Sequence, residues 1–169
     1  VVYGYSMVCI GFGQGISPIV SICWGAKEKE TATKIRSITN RILLAIGTLT
    51  ALSFFVAGKR YAEIFGCSNS IADMVATGFR IYAITFLAMG YDVTGSMYFT
   101  SCGDAKSSAI ISSLRGIVLL LAFILIFPAI FGMNGVWMAS PCAETLTAIV
   151  TFVLIRRQVR KNKEEENGR

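Results

Sequence analysis

VVYGYSMVCIGFGQGISPIVSICW, residues 1–24, runs without a single charged side chain. A helix rises about 1.5 Å per residue, so this run is long enough to cross the roughly 30 Å hydrocarbon core of a bilayer. Four more apolar blocks follow. Residues 42–58 are uncharged between Arg41 and Lys59; 81–102 carry only Asp92, 109–131 only Arg115, and 136–155 only Glu144. No water is available in a bilayer to satisfy a lone strand's backbone, so each block is expected to be helical. The expected fold class is all-α, a polytopic membrane bundle with five transmembrane helices. The composition agrees: 54% of the 169 residues are hydrophobic and 15% are charged, against about 25% charged in an average soluble domain. The mean hydropathy is +0.61. This excludes a disordered chain, a disulfide-rich secreted module and most soluble enzymes.

Turn chemistry falls between the blocks, at Gly25-Ala26, at Gly103-Asp104 and at residues 132–135 (Gly-Met-Asn-Gly). The stretch 25–41 is expected as a charged loop. Residues 61–77 are expected as the longest connection, part of it an amphipathic helix on the membrane surface. Of the 16 Lys and Arg, only Lys59, Arg60 and Arg80 lie on one side of this arrangement. The rest crowd the other side, which the positive-inside rule places in the cytoplasm together with the C-terminus. The net charge of +6 is therefore topological, and no nucleic-acid partner is expected. Arg115 and Arg80, near helix ends, are expected to snorkel to the interface. Five dispersed cysteines and the lack of any histidine indicate neither a disulfide framework nor a zinc site. An apolar run that starts at Val1 without a basic leader reads as a fragment of a longer chain.

Few polar residues interrupt the apolar blocks. Asp92 falls near the bilayer midplane, where a carboxylate must be paired, protonated or hydrated. It is either a structural hydrogen-bond partner of a neighbouring helix or an ion-coupling group, and Thr85, Met89 and Ser96 are candidates to line the cavity around it. Glu144 lies in the outer half of the membrane and admits the same two roles, with Ser140, Thr145 and Thr147 close enough in sequence to satisfy it locally. Gly11, Gly13 and Gly15 suit close helix packing. Gln14 and Pro18 among them suit a cavity or a point of conformational change.

Three blocks carry a resemblance: GFGQGISPIVSICWGAK (11–27), GDAKSSAIISSLRG (103–116) and FPAIFGMNGVWMASPCAE (127–144). In order and spacing they resemble the second half of MATE (multidrug and toxic compound extrusion) transporters. Gln14, Pro18 and Gly25, and later Arg115, Gly132, Gly135 and Pro141, match family positions. The resemblance implies a twelve-helix transporter of two six-helix lobes. Residues 1–157 would be five helices of the C-terminal lobe and 158–169 a basic and acidic cytoplasmic tail, with the N-terminal lobe missing. It implies a multi-pass protein of the plasma (inner) membrane, surrounded by lipid, that is an ion-coupled antiporter and not an enzyme. It would export cationic or amphipathic drug-like small molecules. No cofactor is implied beyond a coupling ion, sodium or a proton, and no metal beyond sodium at Asp92. In some family members an acid on the lobe's fourth helix binds that ion; Asp92 is on this helix, about one position from the family's place when counted back from Gly103. A lipid-linked precursor flippase of the same fold, or a structural membrane subunit, are the alternatives.

Overall fold

A computed structural model describes residues 2–64 and 69–167. Helix α1 is Val2–Gly25, α2 Lys29–Ile64, α3 Asn69–Ser101, α4 Ala105–Ser113, α5 Leu119–Phe131 and α6 Met133–Asn167. Leu114–Val118 form a π-helical turn that joins α4 to α5 into one rod. Five rods, α1, α2, α3, α4–α5 and α6, are long and apolar enough to cross a membrane. Among the described residues there is no strand.

The rods exceed the expected blocks. Helix α2 begins at Lys29, so most of the loop expected over 25–41 is helical. Its buried positions Ala32, Arg36, Thr39, Leu43, Gly47, Ala51, Phe54 and Gly58 recur every three to four residues, one continuous stripe at helical spacing. Charged residues on the outer face of that stripe do not interrupt it. The connection expected over 61–77 is likewise short: 61–64 close α2, 69–77 open α3 without a separate surface helix, and 65–68 lie outside the described residues. Most of the expected tail, up to Asn167, continues α6.

Two of the three expected turns sit where glycine chemistry put them; in the first, α1 runs through Gly25 and Lys27 (φ 65°) takes the left-handed conformation instead. Gly103 (φ 78°) and Gly132 (φ 58°) occupy the left-handed half of φ space, which costs a residue with a Cβ about 1–2 kcal/mol. The last turn is tighter than the expected 132–135 segment: Gly132 alone reverses the chain, and Gly135 already donates its N–H to the Gly132 carbonyl at 3.0 Å.

Helix α3 is the centre of the bundle, in contact with α1, α2, α4 and α6. At the level of Asp92 it is buried all round, with residues 92–95 consecutively inaccessible. Tyr5 binds α1 to both neighbours, since its hydroxyl faces the carbonyls of Phe86 (2.8 Å) and Leu43 (3.1 Å). Phe54, Phe86, Leu43, Met89 and Val93 pack around it. Large apolar side chains such as Val56 and Leu125 cover the outside, the surface a lipid environment favours.

Candidate functional site

Helices α3 and α6 meet through small and hydroxylated residues. Gly95 allows the approach: a Cβ there would collide with the Thr151 methyl. The contact sets Thr151 against Asp92, and its hydroxyl donates to Asp92 Oδ1 at 2.8 Å. Asp92 is fully buried. Two turns away on α6, Glu144 accepts from Arg115 Nε at 2.8 Å, both side chains being largely buried. Asp92 and Glu144 line the same cavity. Asp92 Oδ2 and Glu144 Oε2 are buried, and neither accepts a hydrogen bond from any described residue.

Arg115 reaches this place from the π-helical turn. The turn adds about one residue to the regular helical repeat and rotates the remainder of the rod by about 100°. Its ladder is shifted accordingly, with the Leu119 N–H bonded to the Leu114 carbonyl five residues back. Arg115 therefore does not snorkel to the membrane surface as expected. In hydrocarbon a guanidinium gains more from an anion on the next helix than from a distant headgroup. Nor do the flanks of Glu144 satisfy it: Ser140 donates to the Tyr82 hydroxyl, Thr145 to the Pro141 carbonyl and Thr147 to the Ala143 carbonyl. Hydroxyls on one helix return to their own backbone one turn back, which leaves Glu144 to Arg115.

These groups face a cavity of about 720 Å³ between α1, α3, α4–α5 and α6. The walls are mixed: Ile10, Phe79, Met97 and Leu120 supply apolar surface; Ser6, Tyr82 and Ser140 supply hydroxyls. Thr85 Oγ1 and Trp137 Nε1, also on the lining, are buried without a hydrogen-bond partner among the described residues.

The fold brings together five residues singled out in the sequence, Thr85, Met89, Asp92, Ser96 and Glu144, all on this cavity. Gln14 and Pro18 are both exposed on α1 and do not line it. The glycines of α1 divide. A Cβ on Gly13 would stand 2.9 Å from Met97 Cγ, so Gly13 packs on α3, whereas Gly11 and Gly15 meet nothing within 4 Å. Those two line a shallow outward pocket with Val8, Phe12 and Ile16, so of these three glycines only Gly13 packs a helix within this chain. Sequence reasoning missed Thr151, Trp137 and the pairing of Arg115 with Glu144. The one available signal was a lone cation and a lone anion in consecutive apolar blocks, a pattern that predicts pairing in a membrane.

The profile of the MatE family matches residues 1–127. This chain belongs to the MatE family. It is similar to the multidrug export protein MepA of Staphylococcus aureus (strain bovine RF122 / ET3-1), at 20% identity over 88% of this chain and 33% of MepA. It is also similar to the probable multidrug resistance protein YoeA of Bacillus subtilis (strain 168), at 26% identity over 91% of this chain and 34% of YoeA. The fold matches a crystal structure of MATE in complex with MaL6, with a TM-score of 0.75 and 21% identity over 96% of this chain and 38% of that one. The MatE chain thus spans about a third of the length of these relatives. It is a multi-pass membrane protein of helical architecture.

Proposed function

We propose that this chain is part of the C-terminal lobe of a secondary active multidrug exporter, which expels cationic or amphipathic compounds in antiport with sodium ions or protons. The observation that carries the reading is the charge balance at the cavity. Two carboxyl groups, Asp92 and Glu144, stand against one guanidinium, Arg115, and an unaccepting oxygen of each carboxyl is buried. A net negative charge inside hydrocarbon is costly. One proton between the two carboxyls, or one sodium ion on their oxygens, would complete the site, and a cationic drug would compete for the same charge. Alternating access then follows from population shift, because ion and drug each favour the state that binds them better. The cavity volume lies in the range of about 300–1,000 Å³ usual for small-molecule sites. The names of MepA and YoeA support the same class of cargo. In this reading the N-terminal lobe completes the cavity, lipid surrounds the rest, and the basic ends of the helices and the C-terminus face the cytoplasm of a plasma membrane.

Asp92→Asn tests it. The amide keeps shape and hydrogen bonding but not charge, so the full-length protein should fold normally. Ethidium efflux driven by an imposed proton or sodium gradient should fall at least about tenfold, equivalent to about 1.4 kcal/mol of lost coupling. Running the two gradients separately identifies the ion. Wild-type efflux in the variant would sink the assignment of Asp92.

A further inference from the structure

Resting on the antiport reading above, we propose that Arg115 is a fixed counter-charge that sets the ion count of the site: with its guanidinium on Glu144, the Asp92–Glu144 pair holds one monovalent cation instead of two.

The groups involved can be named from every helix around the cavity. Helix α3 brings Asp92 and the Tyr82 hydroxyl, α6 brings Glu144, α1 brings Tyr3, and the π-helical turn brings Arg115. Cys9 on α1 is buried in the core with Tyr5 and does not line the cavity. Among the described residues, Asp92, Glu144 and Arg115 are the only carboxylic and basic side chains on this lining. Two buried carboxylates with no cation would need two positive charges to approach neutrality, and with one guanidinium in place they need one.

Geometry assigns the guanidinium to Glu144 and not to Asp92. Nε of Arg115 is 2.8 Å from Glu144 Oε1, whereas Asp92 Oδ1 is held by the Thr151 hydroxyl, a neutral donor. Glu144 is thus compensated within the chain and Asp92 is not. The oxygens left over, one from each carboxyl, are where the single exchangeable cation would sit. The π-helical turn supports a role beyond anchoring, because such turns are frequent at functional sites. A cation tied to a helix cannot leave with the drug, so it lowers the charge the site must exchange without joining the exchange.

Ethidium, a monovalent cation, serves as the probe for the full-length protein in proteoliposomes. With the membrane potential clamped at zero and a tenfold ion gradient, each coupled cation multiplies the steady-state ethidium ratio by about tenfold. Glu144→Gln leaves Asp92 balanced by Arg115, so the ratio should fall about tenfold. Arg115→Met combined with Glu144→Gln leaves Asp92 alone, so the ratio should return to the wild-type value. Without drug, Arg115→Met by itself should take up two monovalent cations per protein where the wild type takes up one, and Arg115→Lys should still take up one. The double variant removes both members of the ion pair and strands no buried partner, so the comparison stands even where Arg115→Met fails to fold. A double variant that stays at the Glu144→Gln ratio overturns the proposal, as does a folded Arg115→Met that takes up only one cation per protein. Wild-type protein that responds to neither ion gradient would instead overturn the antiport reading itself.

Discussion

Thr151 illustrates what a single hydroxyl does inside this bundle. It lies 59 positions from Asp92 in sequence, yet gives that carboxyl its one donor among the described residues. Thr151→Val keeps the shape and removes the donor, leaving a second buried Asp92 oxygen unsatisfied. The cost should be about 1–3 kcal/mol, read as a lower midpoint of thermal unfolding of the full-length protein in detergent. Thr151→Ser, which keeps the hydroxyl, should retain most of the stability. Equal stability of the Val variant would mean that Asp92 does not depend on this bond. Asp92 itself was legible in the sequence, because a lone acid in an apolar block has few uses. Its partner was not, since Thr151 is one of many hydroxyls on helices whose default is to bond their own backbone.

At the scale of one element, the short turn between α3 and α4 is held by Asp104. Its carboxylate caps α4, accepting from the Ser107 backbone N–H at 3.1 Å and from the Ser107 hydroxyl at 2.7 Å. The bond from the Ser107 hydroxyl, followed by the backbone N–H bonds, favours the ionised form and holds this carboxyl below its ordinary value. A group with a depressed folded pKa stabilises fully above the unfolded value of about 3.9 and loses that contribution as pH falls through the folded value. Asp104→Ala should therefore destabilise by about 1 kcal/mol at neutral pH, and the difference from wild type should shrink on acidification below about pH 4. Asp104→Asn, still a good cap, should be milder. A difference that stays constant down to about pH 2 would show that the ionised carboxylate is not what matters. The glycine-aspartate pair that makes this turn was plain in the sequence. The extension of α2 back to Lys29 was not, because hydropathy marks where a helix meets lipid and says nothing about where its backbone hydrogen bonds stop.

For the whole molecule, the placement of charge sets which way it faces. Lys106, in the first turn of α4, and Asn134, in the first turn of α6, lie at opposite ends of the α4–α5 rod, and most of the basic residues fall on the side of Lys106. Single cysteines at these two positions, on a cysteine-free background of the full-length protein, should respond differently to an impermeant thiol reagent added outside intact cells. The Asn134 position should react and the Lys106 position should not; the opposite pattern would reverse the assigned orientation. The sequence by itself determined the five apolar crossings, their order, the turns at Gly103 and Gly132 and the family blocks, because hydropathy and turn chemistry are properties of neighbouring residues and need no partner. Only the tertiary structure decided that Glu144 meets Arg115, that Thr151 meets Asp92, and that Gly13 packs while Gly11 and Gly15 do not. Those facts depend on how each helix is rotated about its axis. The rotation is set by close approaches such as Gly95 on Thr151 and by a π-helical turn in the fourth rod, neither of which a local reading of the chain contains.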